Sequence, residues 1–313
     1  MPEPTIVFMG TPEYAVVSLN ALEQAGYSVA AVFTQPDKPK GRGGKVQAPP
    51  AKQWALERGI PVYQPRRIRD DGVEALRALQ PDLCVTAAFG QILSQEVLDI
   101  PHMGTVNVHA SLLPQYRGSA PVNWALIHGE TVTGVTTMMT DRGIDTGDIL
   151  LQKELAILPD ETAGELTGRL ALLGGELLVE TIGKLLDGTC PRTPQDESRM
   201  SYYPMLTKQM GLMDWTKSAH ALVNLVRGLN PWPCAYTPSP HGTLKVLSAR
   251  AEEASGAPGT VLEADDKRGL LVACGEGALR IQTLQAPGGR AMAAHDYLRG
   301  HPMDMGSRMT EEG

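Results

Sequence analysis

Three short apolar runs limit this chain more than any other feature: Thr5-Ile6-Val7-Phe8-Met9-Gly10, Ser28-Val29-Ala30-Ala31-Val32-Phe33-Thr34 and Pro81-Asp82-Leu83-Cys84-Val85-Thr86-Ala87-Ala88. They show no polar alternation, so they fit strands covered on both faces, as in a parallel sheet flanked by helices. Between them, helical patterning from Thr11 to Ala25, Ala51 to Arg58 and Gly72 to Leu79 surrounds a short strand at Val62-Tyr63. Strand and helix in alternation predict an α/β fold built on a doubly wound, Rossmann-like parallel sheet. Sheets of this kind bind ligands beyond the carboxyl ends of their strands. A dinucleotide site would need Gly-x-Gly-x-x-Gly after the first strand, and only Gly10 is present, so a plain strand-to-helix turn is expected there.

A chain of 313 residues exceeds the roughly 100–200 residues of one domain. Thr162-Ala163-Gly164-Glu165 has the spacing of a capping box, and Leu166, Leu170, Leu173 and Leu177 recur at helical intervals until Asp187-Gly188. Polar, proline-containing sequence follows. The expected division is a first domain at 1–189, a linker at 190–206 and a second domain at 207–313. Beyond an amphipathic helix from Ser218 to Gly228 and an Asn230-Pro231-Trp232-Pro233 corner, short strands alternate with turn signals. They predict a small, OB-like antiparallel β-barrel.

No apolar run approaches the ~20 residues of a membrane span, and Met1-Pro2-Glu3-Pro4 lacks a signal-peptide pattern. A cytoplasmic protein is expected. Cys84, Cys190, Cys234 and Cys274 form no paired motif, so neither a disulfide framework nor a zinc site is predicted. The net charge of −7 argues against a surface coated for nucleic acid, and any RNA contact would rest on a local patch.

One such patch is Gln35-Pro36-Asp37-Lys38-Pro39-Lys40-Gly41-Arg42-Gly43-Gly44-Lys45. Four basic residues and one acid lie among glycines and prolines, a composition that predicts a mobile, solvated loop. Lys38, Lys40, Arg42 and Lys45 would suit phosphate groups. The candidate catalytic residues lie elsewhere. Thr105-Val106-Asn107-Val108-His109 alternates as a strand does, which puts Asn107 and His109 on one face. A loop, Ser111-Leu112-Leu113-Pro114, follows at once. Asp141-Arg142-Gly143-Ile144-Asp145-Thr146-Gly147-Asp148 then predicts a tight polar turn. A metal site made from His109 and the three carboxylates is a lesser reading, and no metal is expected.

Asn-x-His followed by Ser-Leu-Leu-Pro, and later Asp-x-Gly-x-Asp-Thr-Gly, resembles the 10-formyltetrahydrofolate-dependent formyltransferases. The basic loop and the Asn-Pro-Trp-Pro corner are similar to the methionyl-tRNA formyltransferase branch of that family. The resemblance implies that 10-formyltetrahydrofolate is the formyl donor, leaving tetrahydrofolate, and that initiator methionyl-tRNA is the acceptor. It implies catalytic roles for Asn107, His109 and Asp145. It also implies folate contacts from Ser111, Leu112, Leu113 and Pro114 and from the Phe89, Gly90 and Ile92 turn, and tRNA contact by the basic loop, where Arg42 matches the family's arginine, and by the second domain. Formyl transfer passes through an oxyanion and moves a proton, work suited to an amide donor, an imidazole and a carboxylate. A monomer is expected, since no segment shows an unmatched apolar face. Formyl transfer to another amine, such as an amino sugar nucleotide, and a non-catalytic RNA-binding protein are the alternative readings.

Overall fold

The computed structural model describes residues 3–40 and 45–309. Its first half runs β1 (Ile6–Gly10), α1 (Glu13–Gln24), β2 (Val29–Phe33), β3 (Lys38–Lys40), β4 (Lys45–Gln47), α2 (Pro50–Glu57), β5 (Val62–Tyr63), α3 (Val73–Leu79), β6 (Leu83–Ala87), α4 (Gln95–Leu98) and β7 (Thr105–His109). After β8 (Arg117–Gly118) and α5 (Pro121–Ile127) come β9 (Val132–Met139), β10 (Ile149–Ala156), α6 (Ala163–Leu186) and β11 (Tyr202–Tyr203). The remainder is α7 (Ala219–Gly228), β12 (Ala235–Thr237), β13 (Leu244–Glu252), β14 (Val261–Asp265), β15 (Gly269–Ala273), β16 (Ala278–Gln285), β17 (Ala291–Ala293) and α8 (Ala294–Gly300).

Two compact units result. One comprises the described residues within Met1–Gly118, Val132–Ala156 and Thr167–Tyr203; the other comprises those within Ser119–Thr131, Ile157–Leu166 and Pro204–Gly313. The first unit is built on a seven-stranded sheet in the order β10-β9-β7-β6-β1-β2-β5. The strands from β7 to β5 are parallel, as the unbroken apolar runs predict, while β9 and β10 add an antiparallel edge. Every residue of β1 and β6 is buried.

Thr162 and Glu165 form the predicted capping box, with the Thr162 N–H donating to Glu165 Oε2 at 2.9 Å. Helix α6 then lies directly on the sheet at Gly174 and against helix α1 at Gly175, because neither residue carries a side chain. A Cβ at Gly174 would fall 2.9 Å from Val108 Cγ1, and one at Gly175 2.9 Å from Ala21 Cβ. The helix thereby backs the strand that carries Asn107 and His109.

Two local expectations change. The helical patterning expected from Thr11 begins at Glu13, with Pro12 at the cap position, and the Thr11 hydroxyl instead accepts from the Gln35 N–H and donates to the Phe89 carbonyl, both at 3.3 Å. The basic segment, read as a loop, is a two-stranded ribbon of β3 and β4. Asp37 at its root is held by Lys52 Nζ at 2.8 Å and by Gln64 Nε2 at 2.7 Å, and the lysine–aspartate hydrogen bond keeps the Asp37 carboxyl below its usual range. Arg42 lies outside the described residues.

The second unit has an antiparallel sheet in the order β12-β13-β16-β15-β14, with β17 paired to β16. Its core gathers Trp215, Leu222 and Val226 with Leu244, Val246, Leu270, Val272, Leu279 and Ile281. The alternation of short strands with glycine turns was therefore a sound guide to this sheet. No helix among the described residues is long and apolar enough to cross a membrane.

Candidate active site

Strands β6 and β7 run parallel with Thr86 opposite Asn107. The Thr86 hydroxyl donates to Asn107 Oδ1 at 2.8 Å, which fixes the amide with its Nδ2 donor turned away from Thr86. Nδ2 has no protein acceptor among the hydrogen bonds of the described residues. Two residues on, on the same face, His109 is buried at 7 % exposure. Its Nε2 lies 2.9 Å from the Tyr116 carbonyl. A carbonyl only accepts, so Nε2 carries a proton. The other ring nitrogen, Nδ1, faces Asp145 Oδ1 at 3.6 Å.

Asp145 is fixed more tightly than a turn residue needs to be. Its φ of 55° lies in the left-handed region, where a side chain other than glycine's costs energy, and Tyr116 shares that conformation at 60°. The Gly118 N–H donates to Asp145 Oδ2 at 2.8 Å, leaving Oδ1 toward the imidazole. Gly147 is obligatory beside it, since a Cβ there would sit 1.8 Å from the Met139 carbonyl oxygen. Asp141 serves the turn itself, accepting from the Gly143 N–H and the Thr146 hydroxyl.

The Ser111–Pro114 loop is held from behind. Thr136 donates through its hydroxyl to the Ser111 carbonyl at 2.7 Å and accepts from the Leu113 N–H, and Gln152 Nε2 donates to the Leu113 carbonyl. Ser111 Oγ donates to the Gln115 carbonyl, Leu113 and Pro114 are buried, and Leu112 is half-buried. On the neighbouring strand end, the Phe89 ring belongs to the core cluster with Met9, Phe33 and Leu93. Gln35 Nε2 donates to the Phe89 and Gly90 carbonyls, while Ile92 is 63 % exposed. Phe89 thus offers the edge backbone rather than an open ring, and Ile92 is the turn's apolar surface group. Lys38 Nζ reaches Gln35 Oε1 at 2.6 Å, which joins the ribbon's root to this edge. Lys40 and Lys45 stand opposite each other in the ribbon.

Sequence reasoning missed a further layer. Arg117, 2 % exposed, donates through Nε and Nη2 to Gln195 Oε1 and through Nη1 and Nη2 to Glu197. The arginine's hydrogen bond holds the Glu197 carboxyl below its ordinary range. Gln195 Nε2 in turn donates to the carbonyls of Asp145 and Gly147, each at 2.8 Å. Ser201 Oγ accepts from the Tyr116 N–H, and the Tyr203 ring stacks on Tyr116. The 190–203 stretch, expected as a connector, is stitched to the first unit. Its only advance signal was a run of amide, hydroxyl and carboxylate side chains. An open groove lined by Arg77, Asp82, Glu96, Asp99 and His102 lies where the chain enters β6 and β7, at the other end of those strands. Among the described residues no group of three or more His, Cys, Asp or Glu side chains is placed to hold a metal ion.

The end of parallel strand β7 and the turn after β9 thus bring an amide, an imidazole and a carboxylate together, a set suited to acid–base chemistry. Residues 5–182 match the formyl transferase family model, and residues 205–302 match that of the formyl transferase C-terminal domain. A methionyl-tRNA formyltransferase of Ruminiclostridium cellulolyticum is 50 % identical over 309 residues, covering 97 % of this chain and 99 % of its own. One from Acetivibrio thermocellus is 52 % identical over 305 residues, with coverage of 96 % and 98 %. The chain belongs to the formyl transferase family, in its methionyl-tRNA formyltransferase branch. The same fold occurs in an N-formyltransferase of Helicobacter canadensis, solved with folinic acid and dTDP-3-aminofucose. That structure has a TM-score of 0.67 at 18 % identity, covering 89 % of this chain and 99 % of the other.

Proposed function

We propose that this protein transfers the formyl group of 10-formyltetrahydrofolate to the amino group of methionine on initiator methionyl-tRNA, as a cytoplasmic monomer. The observation that carries the chemistry is the commitment of His109 Nε2 to a backbone carbonyl, which leaves Nδ1, beside Asp145, as the ring position that takes up and gives back a proton. The methionyl amine attacks the formyl carbon and forms a C–N bond. Asn107 Nδ2 donates to the oxyanion that develops, a contribution of about 10²–10³ in rate for a donor of this kind. The Asp145–His109 pair accepts the proton that the attacking amine loses. The bond from carbon to N10 then breaks, and the same pair returns a proton to N10, releasing tetrahydrofolate.

In this reading Ser111, Leu112, Leu113 and Pro114 bind the folate with the turn of Phe89, Gly90 and Ile92. Lys38, Lys40, Arg42 and Lys45 meet the phosphates of the tRNA, and the second domain, 207–313, adds RNA contact beyond the catalytic domain, 1–189, and the 190–206 segment. The near-full-length likeness to methionyl-tRNA formyltransferases favours the tRNA acceptor over a small amine. The deciding experiment follows labelled formyl from 10-formyltetrahydrofolate to methionyl initiator tRNA. Asn107→Ala, His109→Ala and Asp145→Ala are expected to lower kcat by at least about 10²-fold. Arg42→Ala should chiefly raise KM for tRNA and reduce its salt dependence. Turnover with an amino sugar nucleotide and none with tRNA would reassign the acceptor.

A further inference from the structure

The amide of Gln195 sits between two systems. Its oxygen is the shared acceptor of Arg117 Nε and Nη2, at 3.0 and 2.8 Å. Its nitrogen donates both hydrogens, one to the carbonyl of Asp145 and one to that of Gly147. These assignments are unambiguous, because a guanidinium only donates and a carbonyl only accepts. One side chain therefore pins both ends of the three-residue arc that holds Asp145 in its left-handed conformation. The backbone around it is fastened as well: Ile149 and Thr193 exchange N–H···O bonds at 2.9 Å, and the Arg117 N–H donates to the Ser201 carbonyl. Within an exposed stretch, Gln195 is the half-buried residue.

We propose that Gln195 is a positioning residue for formyl transfer: anchored by buried Arg117, it sets the Asp145 turn so that Oδ1 faces His109 Nδ1. The inference rests on the formyl-transfer reading of this site, and deepens it by adding a residue that touches neither substrate. Without the two donated hydrogens the arc is free to relax out of the costly left-handed region, and the carboxylate leaves the imidazole.

Gln195→Glu isolates the claim. Glutamate keeps the acceptor that Arg117 needs and adds opposite charge to it, but it presents only oxygen to the carbonyls of Asp145 and Gly147. We expect kcat about 10- to 100-fold below the parent, from the loss of two hydrogen bonds that hold the Asp145 turn. KM for 10-formyltetrahydrofolate and for methionyl-tRNA should stay within about threefold, and the melting temperature should fall by no more than a few degrees, leaving the protein folded in the assay. The 15N resonances of the His109 ring in the histidine-labelled full chain should shift. A kcat within twofold of the parent together with unmoved ring resonances would overturn the proposal, as would a loss of activity that merely follows a loss of folded protein. Glu197→Gln, which alters the other side of the guanidinium, is the second variant. If it lowers kcat as far as Gln195→Glu does, the effect belongs to the arginine and the assignment to Gln195 falls. A parent enzyme that fails to formylate methionyl-tRNA would instead overturn the functional reading, while the ring resonances would still decide whether Gln195 sets the Asp145–His109 geometry.

Discussion

Arg117 in the first unit and Arg280 in the second are equally hidden, each 2 % exposed, yet their charges are met in different ways. Arg280 rises from the middle of a regular sheet and is met by two carboxylates from other strands of that sheet. Its Nε and Nη2 bond Glu252, and Nη2 also bonds Glu263 at 2.8 Å. The hydrogen bond from Arg280 holds the Glu252 carboxyl at about 2, against the opposing cost of burial. Arg117 is met by a neutral amide and by Glu197, which is 67 % exposed. Its partners lie 78 and 80 residues downstream, in an irregular segment. A buried charge by itself therefore says little about function. What distinguishes Arg117 is that its neutral partner has a second duty, at the carbonyls of a candidate catalytic turn. Among the described residues, Arg280 and its carboxylates extend to Arg250 and Arg268, within the same sheet and its turns, and touch no candidate catalytic residue.

Replacing each arginine by methionine should separate the two roles. Arg280→Met takes the buried cation from two partly buried carboxylates, leaves them the exposed Arg250 and Arg268, and should cost about 3–5 kcal/mol in the urea unfolding of the second unit. Arg117→Met should cost less, about 1–3 kcal/mol, because the group it strands is chiefly one amide oxygen. It should also lower kcat about tenfold in protein that remains folded, by loosening Gln195. Equal stability losses with equal kcat would erase the distinction drawn here.

Acid gives the finer test. The Glu252 carboxyl has a lower pKa folded, about 2, than its ordinary value of 4.5. The stability it contributes is thus complete above about pH 4.5 and is lost as the pH falls toward 2. Calorimetry should show the melting of the second unit falling through that window, and Glu252→Gln should start lower and fall less steeply.

The unbroken apolar runs were enough to foresee the parallel sheet, because a strand covered on both faces has no polar side to show. Alternation at residues 105–109 placed Asn107 and His109 on one face for an equally local reason, the two-residue repeat of a strand. The capping box at Thr162 and the helix after Ser218 depend on neighbours three and four positions apart. All of these are short-range rules. Strand β10, Ile149–Ala156, escaped notice: it is an edge strand with much of its length exposed, so its apolar residues follow no clear period. The basic ribbon was equally hidden among glycines and prolines that fit a loop as well.

The chain by itself put Asn107 and His109 on one strand face, through the two-residue repeat, and marked the polar turn that contains Asp145, while the resemblance in motif singled out which of its carboxylates to consider. Tertiary structure alone decided which proton sits on His109, which oxygen of Asp145 meets it and what holds that carboxylate in place. The Tyr116 carbonyl, the Gly118 N–H and the Gln195 amide make those decisions. Gln195 is 50 residues from Asp145 along the chain. A hydrogen bond over that separation leaves no periodic trace, because it depends on where the folded backbone returns and not on the residues beside it.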